Sequence, residues 1–137
     1  MNEEIITATP VPEKRRLDHA NKVFGNYWWL AVEPTIFTFA SKLSPEYQGG
    51  YWDFYELSND GFFMAPTGDS LEVISENGWR GTMSAETLGI TACLYAYSHM
   101  SFSSNEELAD VCTRQYHLLR EYMFEYEEVR AILAAVD

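Results

Sequence analysis

Two cysteines, three histidines and nine lysines or arginines are few for 137 residues, and each scarcity closes off a class of protein. Cys93 and Cys112 sit in apolar patterns of helical spacing and form no Cys-x-x-Cys pair, so a disulfide scaffold and a structural zinc are excluded and both read as reduced core thiols. His19, His99 and His117 stand apart from one another, without the spacing of a metal-ligand set. His117 and Glu121 lie one helical turn apart and read as a surface contact. The apolar stretches from Tyr27 to Val32 and from Ile90 to Tyr97 fall far short of the roughly 20 residues that span a bilayer. The acidic beginning lacks the basic-then-apolar order of an export signal, so a cytoplasmic protein is expected. Neither a glycine-rich phosphate loop between strand and helix nor a Gly-x-Ser-x-Gly elbow is found. No catalytic residue, cofactor or metal is therefore expected.

Acid, by contrast, is plentiful. Asp and Glu number 21, and the formal net charge is −12. A field of that sign repels nucleic acid and anionic membrane and favours basic surfaces, so neither is an expected direct partner. Between Lys42 and Arg114 the acids are opposed by Arg80 alone. Asp53, Glu56 and Asp60 fall on or beside one expected hairpin, and Asp69, Glu72 and Glu76 follow on the adjoining segment. These six are the candidate partner-binding residues, ordinary solubility being the plainer account of the same charge.

Hydrophobic residues make up 47% of the chain and aromatics 15%, enough for one core and one domain over residues 14–137. Residues 1–13, with Pro10, Pro12 and three glutamates, show no apolar periodicity and are expected to be a disordered leader. Leu17, Ala20, Val23 and Phe24 predict a first helix that Gly25 stops, and Glu33-Pro34 opens a second helix ended by Ser44-Pro45. Tyr51 to Leu57 and Phe62 to Ala65 flank Ser58-Asn59-Asp60-Gly61, a turn signal, and Asn77-Gly78 divides Leu71 to Ser75 from Trp79 to Met83. An antiparallel meander of three or four strands follows. Ser84 caps a nearly all-apolar helix to Met100, in which Gly89 admits a close neighbour. Ser104 to Glu107 has the form of a capping box before a long helix striped by Leu108, Cys112, Tyr116, Leu119 and Met123, and a short helix ends the chain. The expected class is α+β, a small antiparallel sheet packed with four or five helices. The rings of Gly49 to Pro66, Trp52 and Tyr55 among them, are expected mainly in the core, with the remainder available to a partner.

In this segment the chain resembles the ArdB/KlcA family of antirestriction proteins. The resemblance rests on Gly50-Tyr51-Trp52, Tyr55-x-Leu57-Ser58 with Gly61-Phe62, and Met64-Ala65-Pro66. It continues in Asn77-Gly78 with Arg80-Gly81, Ser84-Ala85 with Gly89-Ile90, Tyr116-His117 with Leu119-Arg120, and Ala131-Ile132 with Asp137, covering most of Leu17 to Asp137. It implies inhibition of type I restriction-modification systems, with the restriction complex or an associated host protein as partner. It carries over no catalytic residue. Two alternatives stand beside binding to protein machinery: partial DNA mimicry, in which carboxylates occupy a basic DNA-binding groove, and an enzyme of unknown reaction.

Overall fold

The computed structural model describes residues 5–136, in which five α-helices and five strands form an α+β fold. Strand β1 (Ala8–Pro10) is followed by a 3-10 turn (Glu13–Arg15) and helix α1 (Arg16–Phe24). A π-helical segment (Trp28–Val32) runs directly into α2 (Glu33–Leu43), so the second helical unit starts earlier than Glu33-Pro34 announces. Within that segment Trp28 and Val32 are buried, while Trp29 and Leu30 face solvent. Strands β2 (Trp52–Leu57) and β3 (Phe62–Pro66) form the first hairpin, and β4 (Leu71–Ile74) and β5 (Arg80–Met83) the second. Helices α3 (Ala85–Met100), α4 (Glu106–Met123) and α5 (Val129–Val136) complete the order.

Two expectations need correction. The disordered leader expected over residues 1–13 does not hold for its described part, residues 1–4 lying outside the described residues. Ala8–Pro10 pairs antiparallel with Tyr55–Leu57, and the Val11 amide donates to the Phe54 carbonyl at 2.8 Å. Further amides anchor the approach: Thr7 to the Ser58 hydroxyl and Ile6 to the Glu125 carboxylate, both at 2.9 Å. Backbone bonding on a sheet edge, where proline is tolerated, needs no apolar periodicity, and this is why the pattern failed to announce the strand. The single meander is also replaced by a three-stranded sheet in the order β1-β2-β3 and a separate two-stranded sheet, β4-β5. After Pro66 the exposed residues 67–70 lead the chain away, and the second hairpin settles against α2, α3 and α5. The Ser44 hydroxyl at the end of α2 fixes β4 by donating to the Glu72 carbonyl at 2.7 Å.

The turns form as their residues dictate. Asp60 (φ 73°) and Gly78 (φ 89°) take the left-handed region that each hairpin requires. Asn59 Oδ1 holds the first turn by accepting from the Gly61 amide at 2.9 Å. Ser84 caps α3 by accepting from the Thr87 amide at 3.1 Å. At α4 the expected capping box is shifted by one residue, since Asn105, not Ser104, accepts from the Leu108 amide.

Helix α3 is the hub, apolar on nearly all sides because β3, α2, α4 and α5 surround it. One stripe of it, spaced by four residues, lies along β3. Gly89 leaves no room for a Cβ against Ala65 and the Met64 carbonyl, the Cys93 thiol reaches that carbonyl at 3.6 Å, and the buried Tyr97 hydroxyl donates to the Phe62 carbonyl at 2.7 Å. Phe62 in turn centres a cluster of rings, with Phe24, Trp28 and Phe54 edge-on at 5.6, 5.3 and 5.5 Å. Cys93 and Cys112 are free and buried, and burial pushes both thiols up to about 12, which keeps them protonated. Among the described residues no helix is long and apolar enough to cross a membrane.

Candidate functional site

Strand alternation separates the first acids. Asp53 lies to one side of β2 with Tyr55 and Leu57, and Glu56 to the other with Trp52 and Phe54. Asp53 is engaged already: Arg16 of α1 pairs with its Oδ1 at 3.1 Å and donates a second bond to the Trp52 carbonyl at 2.8 Å. The same guanidinium lies over the rings of Tyr51 and Phe54, at 4.6 and 5.2 Å. Glu56 and Asp60 are exposed and come together at one cavity. Asp69, Glu72 and Glu76 are exposed on the loop after β3, on β4 and on the turn after it, in the other sheet, and none of them lines that cavity. The six carboxylates thus comprise a cavity pair, an ion-paired residue and three exposed residues on or beside the other hairpin. They do not form one row.

The cavity, of about 360 Å³, opens where α1 and α4 flank the first hairpin. Helix α1 contributes His19 and Lys22 three residues apart, and α4 contributes Arg114 and Gln115, with Val23 and Val111 between them. His19 lies against Phe62 with ring centres 5.7 Å apart, and its Nε2 is buried without a hydrogen-bond partner. Burial lowers the His19 pKa; Glu56 acts in the opposite sense, Arg15 and Lys22 reinforce the fall, and the imidazole is neutral at pH 7. Gln115 is 4% exposed. Its amide donates to the Asp60 carbonyl at 3.3 Å, while its Oε1 is buried with no donor facing it. The cavity therefore offers cationic donors, carboxylate acceptors and a polar floor.

None of His19, Lys22, Arg114 and Gln115 stood out in the sequence. They sit on two helices about ninety residues apart, and only the packing of both against the hairpin between them brings them together. Aromatic density did locate a core: Trp52 is buried, with Nε1 donating to the Tyr47 hydroxyl at 2.9 Å, and half-buried Tyr55 stacks on Phe63 at 4.6 Å.

A second polar cluster ties the end of the chain to α3. The Glu128 carboxylate accepts from the Ser84 hydroxyl at 2.7 Å, the Thr87 hydroxyl at 2.8 Å and the Ser84 amide at 3.3 Å. Burial alone would raise its pKa, but those three hydrogen bonds outweigh it and hold the acid below its ordinary value. Glu86 nearby is shifted upward by burial, against a hydrogen bond from Tyr126 and with the Glu128 charge adding to the rise. Ser84 is the cap of α3, so this cluster serves the fold. Among the described residues no group of three or more histidines, cysteines or carboxylates could hold a metal ion.

Comparison with known proteins places this architecture. A family model described as antirestriction protein matches residues 45–137. The chain is 41% identical over 137 residues to the uncharacterized protein YafX of Escherichia coli K12, covering 96% of this chain and 88% of that protein. It is 34% identical over 135 residues to the antirestriction protein KlcA of Escherichia coli, with 96% and 95% covered. A solved structure superimposes with a TM-score of 0.90 at 34% identity, covering 100% of this chain and 99% of the other. That structure comes from work on KlcA and ArdB, which are described as having a novel fold and antirestriction activity against type I DNA restriction systems in vivo but not in vitro. With the family model matching more than half its length and relatives above 30% identity along nearly all of it, this chain belongs to the antirestriction protein family.

Proposed function

We propose that the protein shields incoming plasmid or phage DNA by inhibiting type I restriction-modification in the cytoplasm, and that it does so by binding host protein machinery. The observation that carries this reading is the full-length match to the KlcA and ArdB fold. The candidate partner surface is acidic: Glu56, Asp60, Asp69, Glu72 and Glu76 are exposed, and Asp53 is tied to Arg16. A net charge of −12 steers such a surface toward a basic partner and away from DNA itself. Against DNA mimicry, Lys22 and Arg114 stand in the same cavity as Glu56 and Asp60, which breaks any regular phosphate-like array.

Efficiency of plating of unmodified phage tests the reading, measured in cells that carry a type I system with and without the protein. Protection is expected, and plating unchanged by well-expressed protein overturns it. Changing the five free acids to Asn or Gln addresses the surface, since exposed substitutions of this kind alter stability by no more than about 0.5 kcal/mol each. Lower protection by a folded variant is expected, and protection equal to the parent's assigns the charge to solubility alone.

A further inference from the structure

We propose that the cavity between α1, the first hairpin and α4 binds a small zwitterion carrying one ammonium and one carboxylate group. Lys22 and Arg114 line it together with Glu56 and Asp60, yet these charges are not spent on each other: the one ion pair among the described residues is Arg16–Asp53. The two cations suit a carboxylate, and the two carboxylates suit an ammonium. A free phosphate would meet Glu56 and Asp60, and a metal cation would meet Lys22 and Arg114. Only a ligand with both signs satisfies all four. The balanced lining also departs from the rest of a chain with net charge −12.

The floor supplies the second, independent observation. Gln115 is 4% exposed and lines the cavity, and its Oε1 has no donor. A buried acceptor left unpaired destabilises the protein, and a ligand N–H toward which the Gln115 side chain turns removes that cost. His19 Nε2 is unpartnered in the same way and adds no charge while the imidazole is neutral. The volume of about 360 Å³ lies near the lower end of small-molecule sites and matches an amino-acid-sized solute better than a nucleotide.

The test uses the isotope-labelled full-length protein and reads the side-chain amide signals of Gln115 by nuclear magnetic resonance. The probes are glycine, 4-aminobutyrate and 6-aminohexanoate, which space the two charges differently, with butylamine and butyrate as single-charge controls. At least one zwitterion is expected to shift the Gln115 signals saturably below about 20 mM, with binding at least about tenfold tighter than to either control. Arg114→Ala and Glu56→Gln, both at exposed positions, are each expected to weaken it about tenfold while the remaining spectrum stays that of the folded parent. Unsaturable shifts with all three zwitterions, equal binding of butylamine or butyrate, or titrations unaltered in both variants overturn the proposal. The measurement reads binding alone, so its failure leaves the antirestriction reading standing.

Discussion

Replacing Gly89 with alanine tests the packing at the centre of the fold. A Cβ there would sit 2.5 Å from the Met64 carbonyl oxygen and deep inside contact distance of Ala65 Cα and Cβ. Two of those three atoms are backbone, so no rotamer change relieves the overlap. Mid-helix, alanine gains about 1 kcal/mol over glycine in propensity. Overpacking a filled core costs about 1–3 kcal/mol, and the rigidity of β3 puts this site at the upper end. The net loss is then about 2 kcal/mol, or about 8 °C in melting temperature at roughly 4 °C per kcal/mol for this chain length. A displaced helix would also misalign the Cys93 and Tyr97 contacts to β3. Urea unfolding followed by circular dichroism gives the difference directly. Adding Ala65→Gly removes only the Cβ from the overlap, so partial recovery is expected. A Gly89→Ala protein as stable as the parent would refute the reasoning, because propensity would then outweigh the close approach.

Other positions give independent checks. Tyr97→Phe leaves the buried Phe62 carbonyl without its donor and should cost about 1–3 kcal/mol in urea unfolding; a loss too small to measure would mean another donor takes its place. Trp52→Ala removes a buried indole packed edge-on to Phe37 at 5.2 Å and should cost about 3–5 kcal/mol; an unchanged melting temperature with lost antirestriction would instead make Trp52 a partner contact. Glu128→Gln probes the pH dependence. Its folded pKa lies below the ordinary 4.5, so its contribution is full above that value and disappears as the pH falls through the folded pKa. The variant should be weaker by about 1 kcal/mol near pH 7, after allowance for solvent screening, and should converge with the parent in acid. A gap independent of pH would reject the carboxylate as its source.

What the sequence announced, and what it hid, follows from the range of each interaction. Asn59-Asp60-Gly61 and Asn77-Gly78 specify their turns through local φ preferences, and both hairpins are where these residues put them. Ser84 and Gly25 likewise mark helix ends with local chemistry. Gly89 was readable as a close approach, though not its partner, because Ala65 is brought to it by the packing of α3 on β3. Strand β1 was invisible because it is held by main-chain bonds to residues 45 or more positions away. In the π-helical turn Trp28 is buried between Phe24 and Phe54, and the second of these contacts, across 26 positions, is one that no local pattern encodes. For the same reason the six candidate acids, neighbours in sequence, fall in separate places, and the basic half of the cavity is not legible in the sequence.

The pairing of β1 also sets a timetable for synthesis. Ala8–Pro10 leaves the ribosome well before Tyr55–Leu57, and at about 5–20 residues per second its partner strand follows roughly 2–10 seconds later. The Ile6 amide waits longer still, since Glu125 lies 119 positions on. Until Tyr55–Leu57 is made, the unpaired main-chain groups of Ala8–Pro10 stay open to any other extended chain. A growing chain therefore passes through a stage in which this segment can pair with a stranger, and the emergence of β2 ends that stage.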